Sequence, residues 1–454
     1  MFSKESNGNG YQHHHLPPPE TAHRDRVRRG TRRSRASTSG DNLSITVRVP
    51  EQQHLQPPPC TDFDIAYFHS YSHLGIHHEM IKDRVRTETY REAIMRHQSF
   101  IAGKVVVDVG CGTGILSIFC AQAGAKRVYA VDASEIALQA NEVVKENNLS
   151  DVVIVLHGRV EDVEIDEEVD VIISEWMGYM LLYESMLGSV ITARDRWLKP
   201  GGLILPSNAT LFMAPVTHTD RYSESIDFWR NVYGINMSAL IPLAKQSSFE
   251  EPSVETITGE NILTWPHEVK HIDSYSVSID ELKTVTSKFK FSSMMRAPLH
   301  GFAFWFDVEF NGPAIAPSNY HSTSIVDNHM ANGSQRKRRT NPNEALVLST
   351  APEDPPTHWQ QTLIYLYDPL ALEQDQLIEG SVTLSQSKEN ARFMNIHLEY
   401  SWVNHLKFSC NSNLSVVKFS SFLWPLFWGN INLKSEPNDS FRIKTGEKSN
   451  VQFQ

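Results

Sequence analysis

The feature that most constrains the fold is residues 103–117, where a β-branched run ends in a glycine-rich turn and leads straight into a helical segment. Three further apolar runs follow at 127–131, 152–156 and 169–173. Apolar strands that alternate with helices are typical of a parallel sheet covered on both faces. The sequence therefore predicts a doubly wound α/β domain. Its ligand site is expected at the carboxyl ends of the strands, where a helix N-terminus offers unpaired backbone N–H groups.

Glycine spacing narrows the choice of ligand. The turn contains Gly110, Gly112 and Gly114 in the pattern G-x-G-x-G, whereas dinucleotide-binding turns carry G-x-G-x-x-G. The second strand runs into Asp132, about 20 residues further on, where a carboxylate can hydrogen-bond the hydroxyls of a ribose. These features favour a nucleoside-containing ligand. A nicotinamide-dependent dehydrogenase would share the sheet topology, but the glycine spacing argues against it.

Two carboxylates interrupt the aromatic and aliphatic run at residues 174–184, immediately after the fourth strand. These are Glu175 and Glu184, and Gly178 lies between them. Burying a carboxylate is costly unless it is paired with a cation or fully hydrogen-bonded. One interpretation is a hydrophobic hairpin whose glutamates face solvent. The other is a loop that folds back and directs both carboxylates at one cation, and the run by itself leaves both open.

Composition limits the classes of function. The 454 residues carry a net charge of −11, which suits a basic substrate better than a direct nucleic-acid partner. No stretch reaches the roughly 18 apolar residues that a membrane span requires, and the N-terminus has no apolar signal core. We therefore expect a soluble intracellular protein without a membrane partner. The four cysteines show no metal-ligand spacing, so no metal is expected.

Changes in composition and in the spacing of apolar residues divide the chain into regions. The predicted regions are a disordered basic leader at 1–60, the α/β domain with an N-terminal lid helix at 61–205, an antiparallel β-barrel at 206–400 that carries a helical arm at about 215–245 and a flexible loop at 313–343, and an atypical, irregular extension at 401–454. Within the α/β domain, residues 77–97 show apolar side chains at helical spacing. The length of the chain is consistent with more than one domain.

Two basic clusters, residues 24–35 and 336–339, lie in the leader and in the polar loop. The first is interpreted as a solvated tail, with nuclear import or anion binding as the alternative, and the second as part of a surface loop that could also serve import. The expected location is the nucleus, with the cytoplasm as a second location.

Four motifs, in order along residues 61–400, resemble those of the protein arginine methyltransferases. They are Tyr67-Phe68-x-Ser70-Tyr71, residues 106–114, the double-glutamate loop at 174–184, and Thr357-His358-Trp359. The resemblance implies a type I enzyme that uses S-adenosylmethionine to form monomethyl and asymmetric dimethyl arginine in proteins such as histones. It also implies a homodimer that forms through the arm. The family's two catalytic glutamates match Glu175 and Glu184, and this match favours the cation clamp over the solvent-facing hairpin.

The resemblance assigns roles to individual residues. The catalytic set is Glu175, Glu184, His358 and Asp83, of which the last two form a proton-relay dyad. The cofactor-binding set is His77, Arg86, Asp108, Gly110, Gly112, Asp132 and Glu161, with Tyr67 and Phe68 as the lid. The arginine slot is Tyr71, Met80, Met186 and Trp359. Two alternatives stay open: Arg86 could form a helix-surface salt bridge with Glu88 or Asp83, and the unusual tail could mark a catalytically impaired binding protein that keeps the fold.

Overall fold

The computed structural model describes residues 59–312 and 345–402, together with the backbone of a strand at 415–419. Both basic clusters, nearly all of the predicted leader and all of the loop at 313–343 lie outside the described residues, as does most of the extension at 401–454. The predictions that concern those segments therefore stay predictions. Among the described residues, no helix combines the length and apolar character needed to cross a bilayer.

Helices and strands follow one another in two successive groups. The helices are α1 (Asp62–Tyr71), α2 (Leu74–Lys82), α3 (Arg84–Arg96), α4 (Gln98–Ile101), α5 (Ile115–Gln122), α6 (Ile136–Glu146), α7 (Leu187–Trp197), α8 (Thr219–Ser225), α9 (Ile241–Phe249) and α10 (Ile279–Lys283), with 3₁₀ turns at Asp227–Arg230, Ser238–Leu240 and Gly259–Asn261. The strands are β1 (Val105–Val109), β2 (Arg127–Asp132), β3 (Val153–His157), β4 (Val169–Ser174), β5 (Leu198–Leu205), β6 (Asn208–Val216), β7 (Ser253–Glu255), β8 (His267–Asp273), β9 (Thr284–Ser292), β10 (Ala297–Phe310), β11 (Leu346–Ser349), β12 (Gln361–Leu372), β13 (Leu377–Gln386), β14 (Met394–Trp402) and β15 (Ser415–Phe419).

The first sheet is parallel and has the strand order β3-β2-β1-β4-β5. All five residues of β1 are buried, as expected for a strand that helices cover on both faces. The strand order reverses between β1 and β4, and such a switch point opens a crevice at the carboxyl ends of the strands. The predicted doubly wound sheet is confirmed. The glycine turn after β1 and the double-glutamate loop after β4 meet at this crevice.

The second group of strands is antiparallel, which confirms the predicted β architecture. Its described strands hydrogen-bond as two sheets, β7-β12-β10-β6-β8 with β11 added to β10, and β15-β14-β13-β9. Aromatic side chains join the two sheets in one core, for example Phe302 between Phe289 and Tyr400, with ring centroids 5.9 and 5.6 Å away. At the edge, β15 pairs with β14. Part of the extension that we predicted to be irregular is therefore a strand, consistent with its short β-branched run.

The junction between the two parts is hydrogen-bonded from both sides. The amide of Ser207 donates to the carbonyl of Glu309 at 2.8 Å, and the amide of Ser274 donates to the carbonyl of Ser207 at 2.9 Å. From α7, the guanidinium of Arg194 donates to the carbonyls of Ser274 and Val277 at 3.0 and 2.8 Å. The end of the parallel sheet and the start of the antiparallel part are thus tied through the same short segment.

The predicted helical pattern over residues 77–97 is interrupted in the structure. Asp83 is extended, with φ −67° and ψ 100°, and it separates α2 from α3. Its carboxylate accepts a hydrogen bond from the amide of Arg86 at 3.0 Å and so caps the N-terminus of α3. Apolar periodicity continues across the break, which is why spacing alone did not reveal it.

Candidate active site

A cavity of about 540 Å³ opens at the carboxyl ends of β1, β2 and β4. Fifteen of the predicted site residues line it: Tyr67, Phe68, Tyr71, His77, Met80, Arg86, Gly110, Gly112, Asp132, Glu161, Glu175, Glu184, Met186, His358 and Trp359. Asp83 and Asp108 are not among the lining residues. The structure therefore brings the predicted catalytic, cofactor and arginine-slot groups into one space, although their individual roles stay predictions.

The glycine turn leaves its backbone open to this cavity. Gly110 and Gly112 have φ angles of 73° and 54°, in the left-handed region that favours glycine. A Cβ atom on Gly110 would lie 2.1 Å from the Cε atom of Met186, and one on Gly112 would lie 3.1 Å from the ring of His77. Side chains at these positions would therefore press on Met186 and His77, which line the cavity.

Two carboxylates next to the turn offer acceptors for a nucleoside. Asp132 accepts hydrogen bonds from the amides of Gly112 and Ser134, each at 2.8 Å, and from the hydroxyl of Ser134 at 2.5 Å. Glu161 accepts one from the hydroxyl of Ser189 at 2.7 Å. A carboxylate has about four lone-pair sites, so both groups keep capacity for ligand hydroxyl or amino groups. The open glycine backbone and these acceptors fit a nucleoside-containing methyl donor. No group of His, Cys, Asp and Glu within the described part of the chain is arranged to hold a metal.

Asp108 corrects one expectation. Its side chain is fully buried and points to α5, where the hydroxyl of Ser117 donates to its Oδ2 at 2.6 Å, while Oδ1 has no partner among the described residues. Burial raises the pKa of Asp108 to about 7. A direct contact with the cofactor is therefore wrong for this residue. Because successive strand residues face opposite sides of a sheet, this position lies beneath the turn instead of in the cavity.

Glu175 forms an ion pair with Arg86. The Nε and Nη2 atoms of Arg86 donate to Oε2 of Glu175 at 3.0 and 2.9 Å, and both side chains are more than nine-tenths buried. The alternative of a helix-surface salt bridge from Arg86 to Glu88 or Asp83 is therefore wrong. Its predicted contact with a cofactor carboxylate stays a prediction.

Glu184 is held by two phenols. The hydroxyls of Tyr67 and Tyr71 donate to its Oε2 at 3.0 and 2.8 Å. Burial raises the pKa of Glu184, and the hydrogen bonds from Tyr71 and Tyr67 oppose that rise only in part. Because Glu175 and Glu184 line the same cavity and each has donors from the protein, the solvent-facing hairpin is wrong.

The contact predicted between Asp83 and His358 is present. Nδ1 and the amide of His358 each lie 2.8 Å from Oδ2 of Asp83. Burial raises the pKa of Asp83, but the hydrogen bonds from His358 and from the amide of Arg86 outweigh it, so the net pKa is lowered. Beside this pair, the indole of Trp359 donates to the carbonyl of Met177 at 2.9 Å and so anchors the double-glutamate loop.

Arg392 is a site residue that the sequence did not suggest. It lies in the turn between β13 and β14 and lines the cavity. Its guanidinium is 2.8 Å from Asp64 of α1, 3.1 Å from the carbonyl of Glu184, and 3.9 Å from the ring centroid of Tyr67. Since 328 positions separate Asp64 from Arg392, no local pattern in the sequence could have indicated the contact.

Comparison with known families agrees with this geometry. The family described as the arginine methyltransferase oligomerization subdomain matches residues 207–328 and 338–405. The family described as ribosomal protein L11 methyltransferase (PrmA) matches residues 92–207. The boundary between the two matches falls at the change from the parallel sheet to the antiparallel part.

Individual relatives extend the match over most of the chain. The probable protein arginine N-methyltransferase 6 of Arabidopsis thaliana is 74% identical over 369 residues, which are 79% of this chain and 85% of that protein. The Trypanosoma brucei PRMT1 enzyme-prozyme heterotetrameric complex with AdoHcy superposes with a TM-score of 0.64 at 35% identity, over 77% of this chain and 99% of that one. The crystal structure of PRMT6-SAH superposes with a TM-score of 0.56 at 28% identity, over 72% of this chain and 100% of that one. The chain therefore belongs to the protein arginine N-methyltransferase family.

Proposed function

We propose that this protein transfers methyl groups from S-adenosylmethionine to arginines of proteins such as histones, and that it forms monomethyl and asymmetric dimethyl arginine. The observation that carries the proposal is the pair of carboxylates, Glu175 and Glu184, in one cavity with the open glycine turn and Asp132. Related structures that contain AdoHcy or SAH support the choice of methyl donor.

The carboxylate pair addresses the difficulty of the reaction. A guanidinium has a pKa above 12, and its delocalised charge makes it a poor nucleophile. When bound, S-adenosylmethionine supplies a methyl group on a sulfonium. Glu175 and Glu184 each use Oε2 for their protein partners, which leaves Oε1 for N–H groups of the substrate. Hydrogen bonds from both sides would localise positive charge away from one terminal nitrogen and orient it for in-line attack.

Substrate and product choice rest on the shape and charge of the molecule. Met80 and Met186 line the cavity, and we expect their side chains to narrow the space next to the reacting nitrogen. The net charge of −11 favours encounter with basic histone tails. The two methionines support the proposed products, monomethyl and asymmetric dimethyl arginine, and the net charge supports the proposed histone substrates.

The arm region supports a homodimer. Phe228, Tyr233 and Ile235 are 50%, 99% and 63% exposed, and apolar side chains that cluster at a surface mark interaction sites. They lie within the part of the chain that matches the oligomerization subdomain. Analytical ultracentrifugation tests this proposal: the wild type should sediment as a dimer and the Tyr233→Asp, Ile235→Asp variant as a monomer, and a monomeric wild type would contradict it.

Residence in the nucleus is also a proposal, which the two basic clusters of the sequence support. Replacing the arginines and lysines of both clusters by glutamine should move a fluorescently tagged protein to the cytoplasm. An unchanged distribution would contradict the proposal.

The activity is tested directly with isotopically labelled S-adenosylmethionine and two substrates, a core histone mixture and an Arg-Gly-rich peptide. We expect label on arginine, and fragmentation mass spectrometry should identify monomethyl and asymmetric dimethyl products. Glu184→Gln serves as the inactive control. If the protein binds S-adenosylhomocysteine but labels no arginine, the proposed activity is wrong, and a symmetric dimethyl product would overturn the product assignment alone.

A further inference from the structure

We propose that Arg392 is a positioning residue that locks the lid helix α1 and shapes the double-glutamate loop, so that closure of the lid and placement of the Glu184 carboxylate occur together. The inference rests on the proposed function, because it concerns the same cavity. It adds a residue outside the four motifs, and this residue comes from the antiparallel part of the chain.

The first half of the lock lies on α1. Nε and Nη2 of Arg392 are each 2.8 Å from Oδ1 of Asp64. The guanidinium carbon lies 3.9 Å from the ring centroid of Tyr67 and 5.1 Å from that of Phe68, which is the geometry of a cation–π contact. Asp64 is itself fixed, because it forms a capping box with Thr61 at the start of α1. Arg392 therefore contacts the part of α1 from which both lid aromatics, Tyr67 and Phe68, face the cavity.

The second half lies on the double-glutamate loop. Nη1 of Arg392 donates to the carbonyl of Glu184 at 3.1 Å, and the amide of Glu184 donates to the carbonyl of Arg392 at 2.9 Å. The hydroxyl of Ser185 adds a 2.6 Å bond to the carbonyl of Ala391. Glu184 and Ser185 have φ angles of 73° and 55°, which are strained for residues other than glycine and persist only where the surroundings hold them. The turn at 387–393 supplies that support.

Tyr67 joins the two halves. Its ring lies against Arg392, and its hydroxyl donates to Oε2 of Glu184 at 3.0 Å. The guanidinium of Arg392 therefore contacts the ring of Tyr67, Tyr67 bonds the carboxylate of Glu184, and the backbone of Glu184 bonds Arg392 in turn. The positive charge of Arg392 also opposes the rise that burial causes in the pKa of Glu184. Loss of the guanidinium should thus loosen the lid and alter the ionisation of the carboxylate, an effect that packing alone would not produce.

The test uses Arg392→Ala and Arg392→Lys in the full chain. Arg296→Ala is the matched control, because Arg296 is an 80% exposed arginine of the same antiparallel part and pairs with Glu373. Three readouts are taken: hydrogen exchange of the amides at 62–71 with S-adenosylhomocysteine present, S-adenosylhomocysteine affinity by calorimetry, and the pH profile of kcat/KM on a histone peptide.

In the Arg392→Ala variant, the α1 amides should exchange at least tenfold faster than in the wild type, and S-adenosylhomocysteine should bind about tenfold more weakly. The acid limb of its pH profile, where kcat/KM falls as the pH is lowered, should move to higher pH. Arg392→Lys keeps the charge but loses the fork and the flat stacking surface, so its α1 amides should also exchange faster while its acid limb stays near that of the wild type. Arg296→Ala should match the wild type in all three readouts.

A folded Arg392→Ala variant with wild-type exchange, affinity and acid limb would overturn the proposal. If that variant does not fold, Arg392→Lys and Asp64→Asn decide. Asn keeps one oxygen that can accept the hydrogen bonds from the amide and hydroxyl of Thr61, but it loses the charge that pairs with Arg392. Asp64→Asn should therefore speed α1 exchange without moving the acid limb. Unchanged α1 exchange in both would overturn the proposal. If the wild type binds S-adenosylhomocysteine but methylates nothing, the proposed function fails, and the exchange experiment still tests the lock.

Discussion

The two carboxylates of the double-glutamate loop lie in one cavity but are stabilised in opposite ways. Glu175 faces a full positive charge, the guanidinium of Arg86 from α3. Glu184 faces the dipoles of two phenols, Tyr67 and Tyr71 from α1. A buried ion pair neutralises charge but leaves a stranded ion if one partner is removed, whereas phenol hydrogen bonds support a charge without cancelling it. The same chemical group should therefore respond differently to mutation and to pH at the two positions.

The largest expected effect is on turnover, where the two carboxylates should respond alike to mutation. Glu175→Gln and Glu184→Gln should each lower kcat by about 10³-fold, because either change removes half of the charge that orients the guanidinium. Single-turnover kinetics on a histone peptide measures this effect. Glu184→Gln should keep its affinity for S-adenosylhomocysteine within about threefold. A Glu184→Gln variant that retains a tenth of the wild-type kcat would remove this residue from the catalytic set.

Stability should separate the two positions. Glu175→Gln leaves the guanidinium of Arg86 buried without a counter-ion and should lower the free energy of unfolding by about 3–5 kcal/mol. Glu184→Gln removes no cation partner and should change it by less than about 1 kcal/mol. Urea denaturation provides the measurement. Combining Arg86→Met with Glu175→Leu should recover much of the lost stability. Equal destabilisation by Glu175→Gln and Glu184→Gln would contradict the proposed difference between the two positions.

A smaller effect is expected at the phenols. Tyr67→Phe or Tyr71→Phe removes one hydrogen bond to Glu184 and should lower kcat/KM about tenfold. The pKa of Glu184 is already raised, and activity is lost as the pH falls through that pKa. Removing a donor to the charged form raises the pKa further, so the loss should begin at higher pH. Tyr129→Phe is the control, since its hydroxyl bonds Glu167 instead; an unmoved acid limb in both lid variants would contradict the prediction.

The smallest effect concerns Asp108, which lies beside the glycine turn but outside the carboxylate pair. Its pKa is about 7 in the folded protein, above the value of about 3.9 in an unfolded chain. The contribution of Asp108 to stability is therefore fully present below pH 4 and is lost as the pH rises through 7. Asp108→Asn lacks this dependence, so its stability relative to the wild type should be about 0.8 kcal/mol higher at pH 8 than at pH 6.5. Thermal unfolding at both pH values checks this, and an identical difference at both would contradict it.

The sequence predicted those parts of the fold that depend on uniform patterns. Strand β1 is buried on both faces because helices cover it on both sides, and that burial appears in the sequence as four valines interrupted only by Asp108. The double-glutamate loop stood out for a related reason, since the cost of burying a carboxylate predicts that partners must exist. Buried strands, and the charged residues that interrupt buried segments, can therefore be recognised directly in the sequence.

Partners far apart in the sequence were not predictable in the same way. The break at Asp83 depends on one capping carboxylate, and the apolar spacing gives no sign of it. The pairing of Arg86 with Glu175 spans 89 positions, and the contact between Arg392 and Asp64 spans 328. Such pairs form because two elements happen to pack together, so they depend on the complete three-dimensional arrangement and leave no periodic signal.

The hydrogen-bonded junction at Ser207 determines which part of this enzyme can move. Because Ser274 and Glu309 hold the Ser207 backbone while Arg194 fastens α7 to the neighbouring carbonyls, bending at the junction would break several bonds at once. Domain closure about a hinge is therefore an unfavourable route for admitting an arginine side chain. We therefore expect the N-terminal helices α1 and α2 to move when the site opens, and the rate of that movement should set the exchange of methyl donor and spent cofactor.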